Sequence, residues 1–329
     1  MQRRKKRSNL PYIIIIVILV IILAIAIFKC VDVIKENILS GGAAGGDVAG
    51  NTQDGGSENN GTGASGDDAS SNPGDGYEKI DPPGLTEGSL VLVNNQIGWD
   101  FSQDDKMISI YDNKTDSYYV RDTEVYLARE ALEHLNSMMD DFYDATGLKH
   151  INIVAGYRTK DLQEKLYNDS LETSGAQHTS DYIALPGRSE HHTGLAIDMS
   201  IFYPSDGSSE QFEGQGEYSW IYENAWKYGY ILRYPQGKES ITDISYESWH
   251  FRYVGVAHAY VISENDMCLE EYIDYVKNYT AGGEHLNVDT EEGQYEIYYC
   301  TENDVYVPQN AEYDISGNNV DGYIVTIIK

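Results

Sequence analysis

The stretch SEHHTGLAIDMSIF, residues 189–202, combines a strand-like apolar pattern with titratable side chains. Side chains of an extended chain alternate between two faces. One face here carries three large apolar residues, Leu195, Ile197 and Met199. The pattern predicts a core strand, with Asp198 projecting from its opposite face. Gly194 permits a tight bend just before the strand, and that bend brings His191 back toward Asp198.

A second aromatic stretch, SWHFRYV at residues 248–254, has the same alternation. Its apolar face is made of Trp249, Phe251 and Tyr253. His250 and Arg252 lie on the other face. Glu247 stands three positions before His250, so a straight strand would put the two side chains on opposite faces. We therefore expect Glu247 where the strand begins or bends.

Two imidazoles and one carboxylate, with a fourth position open, are typical of a catalytic zinc site. His191, Asp198 and His250 provide this set, and imidazole ligands favour zinc over magnesium. Glu247 is placed to act as a general base beside such a site. The chain has no GxSxG motif, which leaves serine nucleophile chemistry without support. Taken singly, a histidine at a strand end or a buried aspartate can be purely structural.

Three motifs occur in order: AGYRT at residues 155–159, SxHxxGxAxD from Ser189 and ExWHxRYVG from Glu247. Together they resemble the VanY-type D-alanyl-D-alanine carboxypeptidases, zinc peptidases that share a fold with lysostaphin and sonic hedgehog. The resemblance covers residues 123–279. It implies an α+β fold with a hedgehog-like sheet, flanking helices and one catalytic Zn²⁺.

The resemblance also implies roles for individual residues. The implied zinc ligands are His191, Asp198 and His250, and the implied catalytic residues are Glu247 as general base and Arg158 as the group that stabilises the polarised carbonyl. The implied substrate-binding residues are Gln163, Ser189, Tyr157 and Trp249. His192 follows a ligand directly, so we expect it at the pocket edge or the surface, with ligation as an alternative.

The implied reaction is removal of the terminal D-alanine from peptidoglycan stem peptides that end in D-Ala-D-Ala. An L,D-carboxypeptidase acting on tetrapeptide stems would use the same zinc and base. A non-catalytic cell-wall-binding module of the same fold is an alternative of another class. A purely structural surface protein would leave the charged residues unexplained.

Charge and cysteine content narrow the possible partners. The net charge of −30 argues against nucleic acid, because phosphate binding needs a basic face. The three cysteines, Cys30, Cys268 and Cys300, form no CxxC motif and so do not indicate a cysteine zinc site. Pairing of Cys268 with Cys300 stays open.

The N-terminal region predicts membrane attachment. Residues 12–28 form one uncharged apolar run preceded by basic residues, which favours a single-pass anchor with a cytoplasmic N-terminus and an extracellular catalytic domain. A cleaved signal peptide is the alternative, but Phe28 and Lys29 stand where small residues would be wanted. The following Gly-, Ser- and Asp-rich segment predicts a flexible tether.

Elsewhere the pattern predicts an α+β fold without regular alternation of helices and strands. We expect strands at Ser89–Asn95 and residues 106–112, and a buried strand that runs into a turn within residues 151–159. We expect helices at Thr123–Thr146, residues 161–171, residues 218–228 and within residues 257–279, with a β-rich tail after His285. The predicted regions are a cytoplasmic segment (1–11), an anchor (12–28), a linker (29–76), a β-rich segment (77–121), the peptidase domain (122–280) and a β-rich appendage (281–329).

Overall fold

The computed structural model describes residues 73–101 and 106–329. The predicted anchor at 12–28 and nearly all of the predicted linker lie outside these ranges. Within them, no helix has the length and apolar content needed to cross a bilayer. The strands are β1 (Tyr77–Lys79), β2 (Met107–Ser109), β3 (Tyr119–Val120), β4 (Tyr126–Ala128), β5 (Ile151–Ala155), β6 (Ala196–Tyr203), β7 (Ser208–Gln211), β8 (Tyr230–Leu232), β9 (His250–Tyr253), β10 (Leu286–Thr290), β11 (Gly293–Thr301), β12 (Tyr306–Pro308), β13 (Glu312–Gly317) and β14 (Gly322–Ile328).

The helices are short apart from two. They are α1 (Ile110–Asn113), α2 (Arg129–Thr146), α3 (Lys160–Thr173), α4 (Ala176–Tyr182), α5 (Ser219–Asn224), α6 (Glu239–Thr242), α7 (Val256–Glu264) and α8 (Leu269–Val276). Three 3₁₀ turns, Glu190–Thr193, Gly216–Tyr218 and Ala225–Tyr228, complete the set within the described ranges. Helices and strands do not alternate regularly, so the fold is a mixed one, in agreement with the sequence pattern.

The central sheet has the strand order β3-β5-β6-β9-β8, with β7 added to the end of β6. Only β3 and β5 run parallel, and the other pairs are antiparallel. Asp198 on β6 pairs in register with His250 on β9. The two motifs, about fifty residues apart in the chain, therefore meet at neighbouring positions in the sheet.

The main core lies between this sheet and α2. The predicted apolar face of β6 is buried there, and α2 contributes its own apolar stripe, Ala131, Leu132, Leu135, Met138, Met139 and Phe142. Helix α2 ends at Gly147 as expected, in the left-handed conformation with φ 71°. Its predicted start at Thr123 is wrong, because Tyr126–Ala128 first pairs with Met107–Ser109 as a strand.

The expected strand at Ser89–Asn95 is also wrong. The apolar side chains do alternate, but they point into two different apolar clusters. Leu90 and Leu92 belong to one cluster, and Val91 and Val93 belong to the other. Backbone groups of this segment bond to side chains and loops, such as the Leu90 N–H to Ser316 Oγ at 2.9 Å. The segment is thus a buried connection with no ladder of its own. Residues 106–112 are strand only at Met107–Ser109, after which α1 begins.

One predicted helix is divided, and one segment predicted to contain a helix holds two. The segment 218–228 forms α5 followed by a 3₁₀ turn that ends at the left-handed Gly229. The segment 257–279 contains two helices, α7 and α8.

The tail strands form a four-stranded antiparallel sheet in the order β10-β11-β14-β13. Val288, Ile297 and Ile324 of this sheet share an apolar cluster with Val254 and Leu269. The tail therefore packs against the helices that follow the second motif. Cys268 and Cys300 are both buried, and within the described chain neither forms a disulfide bond.

Candidate active site

The turn that carries His191 depends on Gly194. The 3₁₀ turn Glu190–Thr193 ends at Gly194, whose φ of 68° lies in the left-handed region. A Cβ at this position would lie 2.1 Å from Met107 Sδ, so no side chain fits without displacing its neighbour. The turn directs His191 Nε2 to 3.2 Å from Asp198 Oδ2, as the expected bend requires. The other ring nitrogen, Nδ1, lies 2.7 Å from the carbonyl oxygen of Gly156.

His250 completes a compact donor set. Its Nδ1 lies 2.9 Å from Asp198 Oδ1, and one ligand atom from each of His191, Asp198 and His250 lies within 4.8 Å of the others. All three residues are buried. Zinc ligands at about 2.0–2.1 Å in tetrahedral geometry lie roughly 3.4 Å from one another. The spacing and chemistry of these donors therefore fit a zinc ion.

The protonation of the two histidines differs. Burial and the adjacent Arg158 guanidinium lower the pKa of His191 to about 4, so its imidazole is neutral near pH 7. Burial acts in the same direction at His250, but the hydrogen bond to Asp198 and the nearby Glu190 carboxylate outweigh it and raise the pKa to about 9. Because metal ligation needs a neutral imidazole, binding a cation here would release a proton.

Arg158 follows β5 and reaches the same carboxylate. Its Nη2 lies 2.6 Å from Asp198 Oδ2, and its backbone N–H donates to the carbonyl of His191 at 3.0 Å. Although burial opposes ionisation of Asp198, the interactions of its carboxylate with His191 and with the Arg158 guanidinium hold its pKa well below the usual value. The guanidinium is partly exposed and faces the cavity described below.

Glu247 precedes β9, at the strand start where it was expected. Its carboxylate is buried, with Oε2 3.8 Å from His250 Nδ1. Burial raises the pKa of Glu247 to about 8; the nearby Asp198 carboxylate adds to this effect and His250 opposes it. A carboxylate with such a pKa can hold or release a proton near neutral pH.

These side chains line one cavity of about 670 Å³. Three of the four predicted substrate-binding residues, Gln163, Ser189 and Trp249, also line it. Gln163 Nε2 donates to the carbonyl of Ala184 at 2.9 Å, while its buried Oε1 has no hydrogen-bond partner in the described chain. Tyr157 does not line the cavity, and its backbone N–H donates to the carbonyl of Tyr126.

His192 is fully buried, so the expectation of a pocket-edge or surface position is wrong. Its Nδ1 lies 2.7 Å from the carbonyl of Arg158, and its Nε2 accepts the Gly187 N–H at 3.1 Å. It lies outside the donor set of His191, Asp198 and His250. The imidazole therefore ties together the two loops that carry the neighbouring functional residues.

Sequence reasoning missed a buried charged group behind the donor set. Its members are Glu190, Arg233 and Arg252, which are buried, and Glu270, which is partly buried. Arg252 belongs to the second motif, but the alternation of side chains along that strand predicts only the face of the sheet on which Arg252 lies, not its partners. Glu190 lies within the first motif, and a single charged residue beside a ligand gives no sign of its distant partners.

Comparisons with known proteins identify the relatives of this chain. The VanY family, D-alanyl-D-alanine carboxypeptidase, matches residues 124–256. A D-alanyl-D-alanine carboxypeptidase of Enterococcus faecium is 38% identical over 248 residues, covering 73% of this chain and 75% of that protein. VanXYC of Enterococcus gallinarum, a bifunctional D-Ala-D-Ala dipeptidase and carboxypeptidase, is 42% identical over 158 residues, covering 47% of this chain and 81% of that protein.

A solved structure is similar over most of the described chain. The vancomycin-resistance D,D-dipeptidase VanXYg, in complex with a D-Ala-D-Ala phosphinate analogue, aligns with a TM-score of 0.66 and 31% identity. The alignment covers 77% of this chain and 98% of that one. With the motifs, the fold and this extent of identity in agreement, the chain belongs to the VanY family of D-alanyl-D-alanine carboxypeptidases.

Proposed function

We propose that the chain is a zinc-dependent carboxypeptidase that removes the terminal D-alanine from peptidoglycan stem peptides ending in D-Ala-D-Ala. One observation carries the proposal: the donor set His191, Asp198 and His250 shares a cavity with Glu247 and Arg158. Family membership supplies the substrate class. The E. faecium relative is named for this activity, and VanXYg was solved with a D-Ala-D-Ala analogue.

His191 Nε2, an Asp198 carboxylate oxygen and His250 Nδ1 would hold the zinc. Zinc in such a site supplies Lewis acidity, which polarises a carbonyl and makes water acidic near neutral pH. The chain's own contribution is to fix three buried donors on two paired strands and one tight turn. That rigidity avoids reorganisation of the ligands during the reaction.

Glu247 is the proposed general base. In the metal-free protein its pKa is about 8, mainly because of burial. A cation at the nearby donor atoms favours the ionised carboxylate, since opposite charge stabilises it. Ionised Glu247 can then accept a proton from the attacking water and deliver it to the amine of the departing D-alanine.

Arg158 is proposed to stabilise negative charge on the carbonyl oxygen of the scissile bond. A positioned guanidinium in a partly dry cavity stabilises an oxyanion more than bulk water does. Gln163 and Ser189 provide polar groups for the substrate, and Trp249 forms part of the cavity wall. Tyr157 is not assigned a substrate contact, because it does not line this cavity.

The proposed location follows from the sequence of the N-terminal region. A membrane anchor at residues 12–28 and a flexible linker would hold the enzyme on the outer side of the membrane. Stem peptides lie on that side, so the tether would let the catalytic domain reach them.

The test uses the full-length chain, purified in mild detergent, with muropeptides that carry pentapeptide or tetrapeptide stems. D-Alanine release is measured with zinc, with a chelator and for Glu247→Gln. Release from the pentapeptide that is lost in both controls supports the proposal. Release from the tetrapeptide alone would change the assignment to an L,D-carboxypeptidase. No release from either substrate by a zinc-loaded, folded sample would refute the proposal that the chain is an enzyme.

A further inference from the structure

A group of buried charges lies directly behind the candidate zinc ligands. We call it the arginine–glutamate cluster; its members are Glu190, Arg233, Arg252 and Glu270. The first three are at most 1% exposed. Ionised side chains remain at such depth only when they are paired and hydrogen-bonded. The proposed reaction does not use this cluster, so its presence beside the site needs its own explanation.

The two carboxylate oxygens of Glu190 have different surroundings. Oε1 accepts hydrogen bonds from Arg233 Nε at 2.7 Å and from Arg252 Nη1 at 2.8 Å. Oε2 lies 3.5 Å from His250 Nε2, slightly beyond a good hydrogen bond. Both of these buried atoms lack any hydrogen-bond partner in the described chain. The guanidinium groups thus hold the carboxylate by one oxygen and direct the other at the imidazole.

Each guanidinium is itself fixed at its far end. Arg233 Nη1 and Nη2 bond both oxygens of Glu270, at 2.8 and 2.7 Å. Arg252 Nη2 donates to the backbone carbonyls of Ser89 and Val91, each at 2.8 Å. Neither arginine can turn away without breaking several buried hydrogen bonds. The direction of the Glu190 carboxylate is therefore set by a rigid frame.

We infer that Glu190 is a positioning residue that accepts a hydrogen bond from His250 Nε2–H and so turns the Nδ1 lone pair toward the metal. The inference rests on the zinc site proposed above. An imidazole with its proton on Nε2 has its lone pair on Nδ1, which is the atom 2.9 Å from Asp198. An anionic acceptor on the far nitrogen also makes the ligand atom more basic. His191 differs, because its far nitrogen faces the neutral carbonyl of Gly156.

The test compares two variants of the full-length chain that each remove one charge from the arginine–glutamate cluster, Glu190→Gln and Glu270→Gln. Zinc affinity is measured by competition with a chromophoric chelator. Loss of a residue that orients a metal ligand typically weakens metal binding about 10- to 100-fold, which we expect for Glu190→Gln, whereas Glu270→Gln should change it by less than about threefold. The thermal unfolding temperature of the metal-free protein should fall in both variants, since both lose a buried ion pair.

Wild-type zinc affinity in Glu190→Gln, or equal weakening in both variants, would overturn the inference. If Glu190→Gln does not fold, wild-type protein labelled with ¹⁵N-histidine provides the second measurement. In the zinc-loaded form, the His250 ring should show a proton on Nε2 and none on Nδ1, and the reverse pattern would contradict the role of Glu190. Failure of the wild-type chain to bind zinc at all would instead refute the proposed function, before any variant is compared.

Discussion

Two buried histidines, His250 and His258, lie eight residues apart in the chain but in opposite surroundings. His250 is surrounded by the carboxylates of Asp198, Glu190 and Glu247. The two ring nitrogens of His258 on α7 lie within hydrogen-bond distance of hydroxyl groups, those of Tyr272 on α8 and Thr326 on β14. The first region gathers negative charge around an imidazole, and the second joins two helices to the tail sheet.

The pKa values of the two residues record this difference. Burial lowers the pKa of His258 to about 3, and no charged side chain of the described residues offsets this effect. At His250 the same burial is outweighed by the hydrogen bond to Asp198 and by the other carboxylates nearby, and the pKa rises to about 9. Burial of a histidine therefore says little about its role. The charge of the neighbouring side chains distinguishes a histidine that is a candidate metal ligand from one that only connects elements of the fold.

Replacing each histidine with glutamine should give the largest contrast. His250→Gln removes a donor from the metal site, so we expect zinc binding and D-alanine release to be lost. His258→Gln should keep release per folded molecule within a few-fold of wild type, while an unsatisfied hydroxyl lowers the free energy of unfolding by about 1–3 kcal/mol. Zinc content, initial rates and denaturant unfolding check the pair. Equal loss of activity in both variants would remove the distinction.

Glu247→Gln should produce the next largest effect. The amide cannot accept the proton from water, and general acid–base catalysis typically contributes about 10²- to 10⁴-fold in rate, so kcat should fall by that factor. Zinc affinity should stay close to wild type, because Glu247 lies outside the donor set. Glu264→Gln, the same change at an exposed site on α7, is the matched control and should leave kcat unchanged.

Lowering the pH should reduce the contribution of His258 to the free energy of unfolding. The unfolded imidazole takes up a proton near pH 6.5, whereas the folded one resists it down to about pH 3, so the unfolded state binds more protons and stability falls as the pH decreases through this range. Relative to His258→Gln, the wild-type chain should lose about 2 kcal/mol of unfolding free energy between pH 7.5 and pH 5. Denaturant unfolding of the metal-free proteins measures this. An unchanged difference between the two proteins would show that His258 does not titrate in this way.

Thr326→Val should have the smallest effect. The hydroxyl of Thr326 lies 3.0 Å from His258 Nε2, and its loss leaves a buried ring nitrogen without that partner. We expect a decrease of about 1 kcal/mol in unfolding free energy, with activity unchanged. A large loss of activity would indicate that the tail sheet is coupled to the cavity.

Local alternation predicted the part of the site that lies on strands. The apolar residues of β6 and β9 fix which way Asp198 and His250 point, and both strands have the expected faces. The bend at Gly194 and the position of Glu247 also follow from short-range geometry. Sequence and resemblance together therefore indicated which three donor residues and which carboxylate lie beside one cavity.

Long-range partners could not be predicted in the same way. Glu190 is stabilised by Arg233, which is 43 residues away, and no periodicity connects the two positions. Ser89–Asn95 has a strand-like pattern, yet the segment does not join a sheet. Its alternating apolar side chains pack into two different apolar clusters instead. His192 is buried because the carbonyl of Arg158 and the N–H of Gly187 need partners there. Each of these outcomes depends on tertiary contacts between distant segments.

Anomalous diffraction at the zinc edge from crystals of the zinc-loaded protein tests the proposed metal site most directly. We expect one strong peak bounded by His191 Nε2, a carboxylate oxygen of Asp198 and His250 Nδ1, with Glu247 close to the ion but not bound to it. A peak at another group of residues, or no peak in crystals of a protein that releases D-alanine, would refute the proposed zinc site.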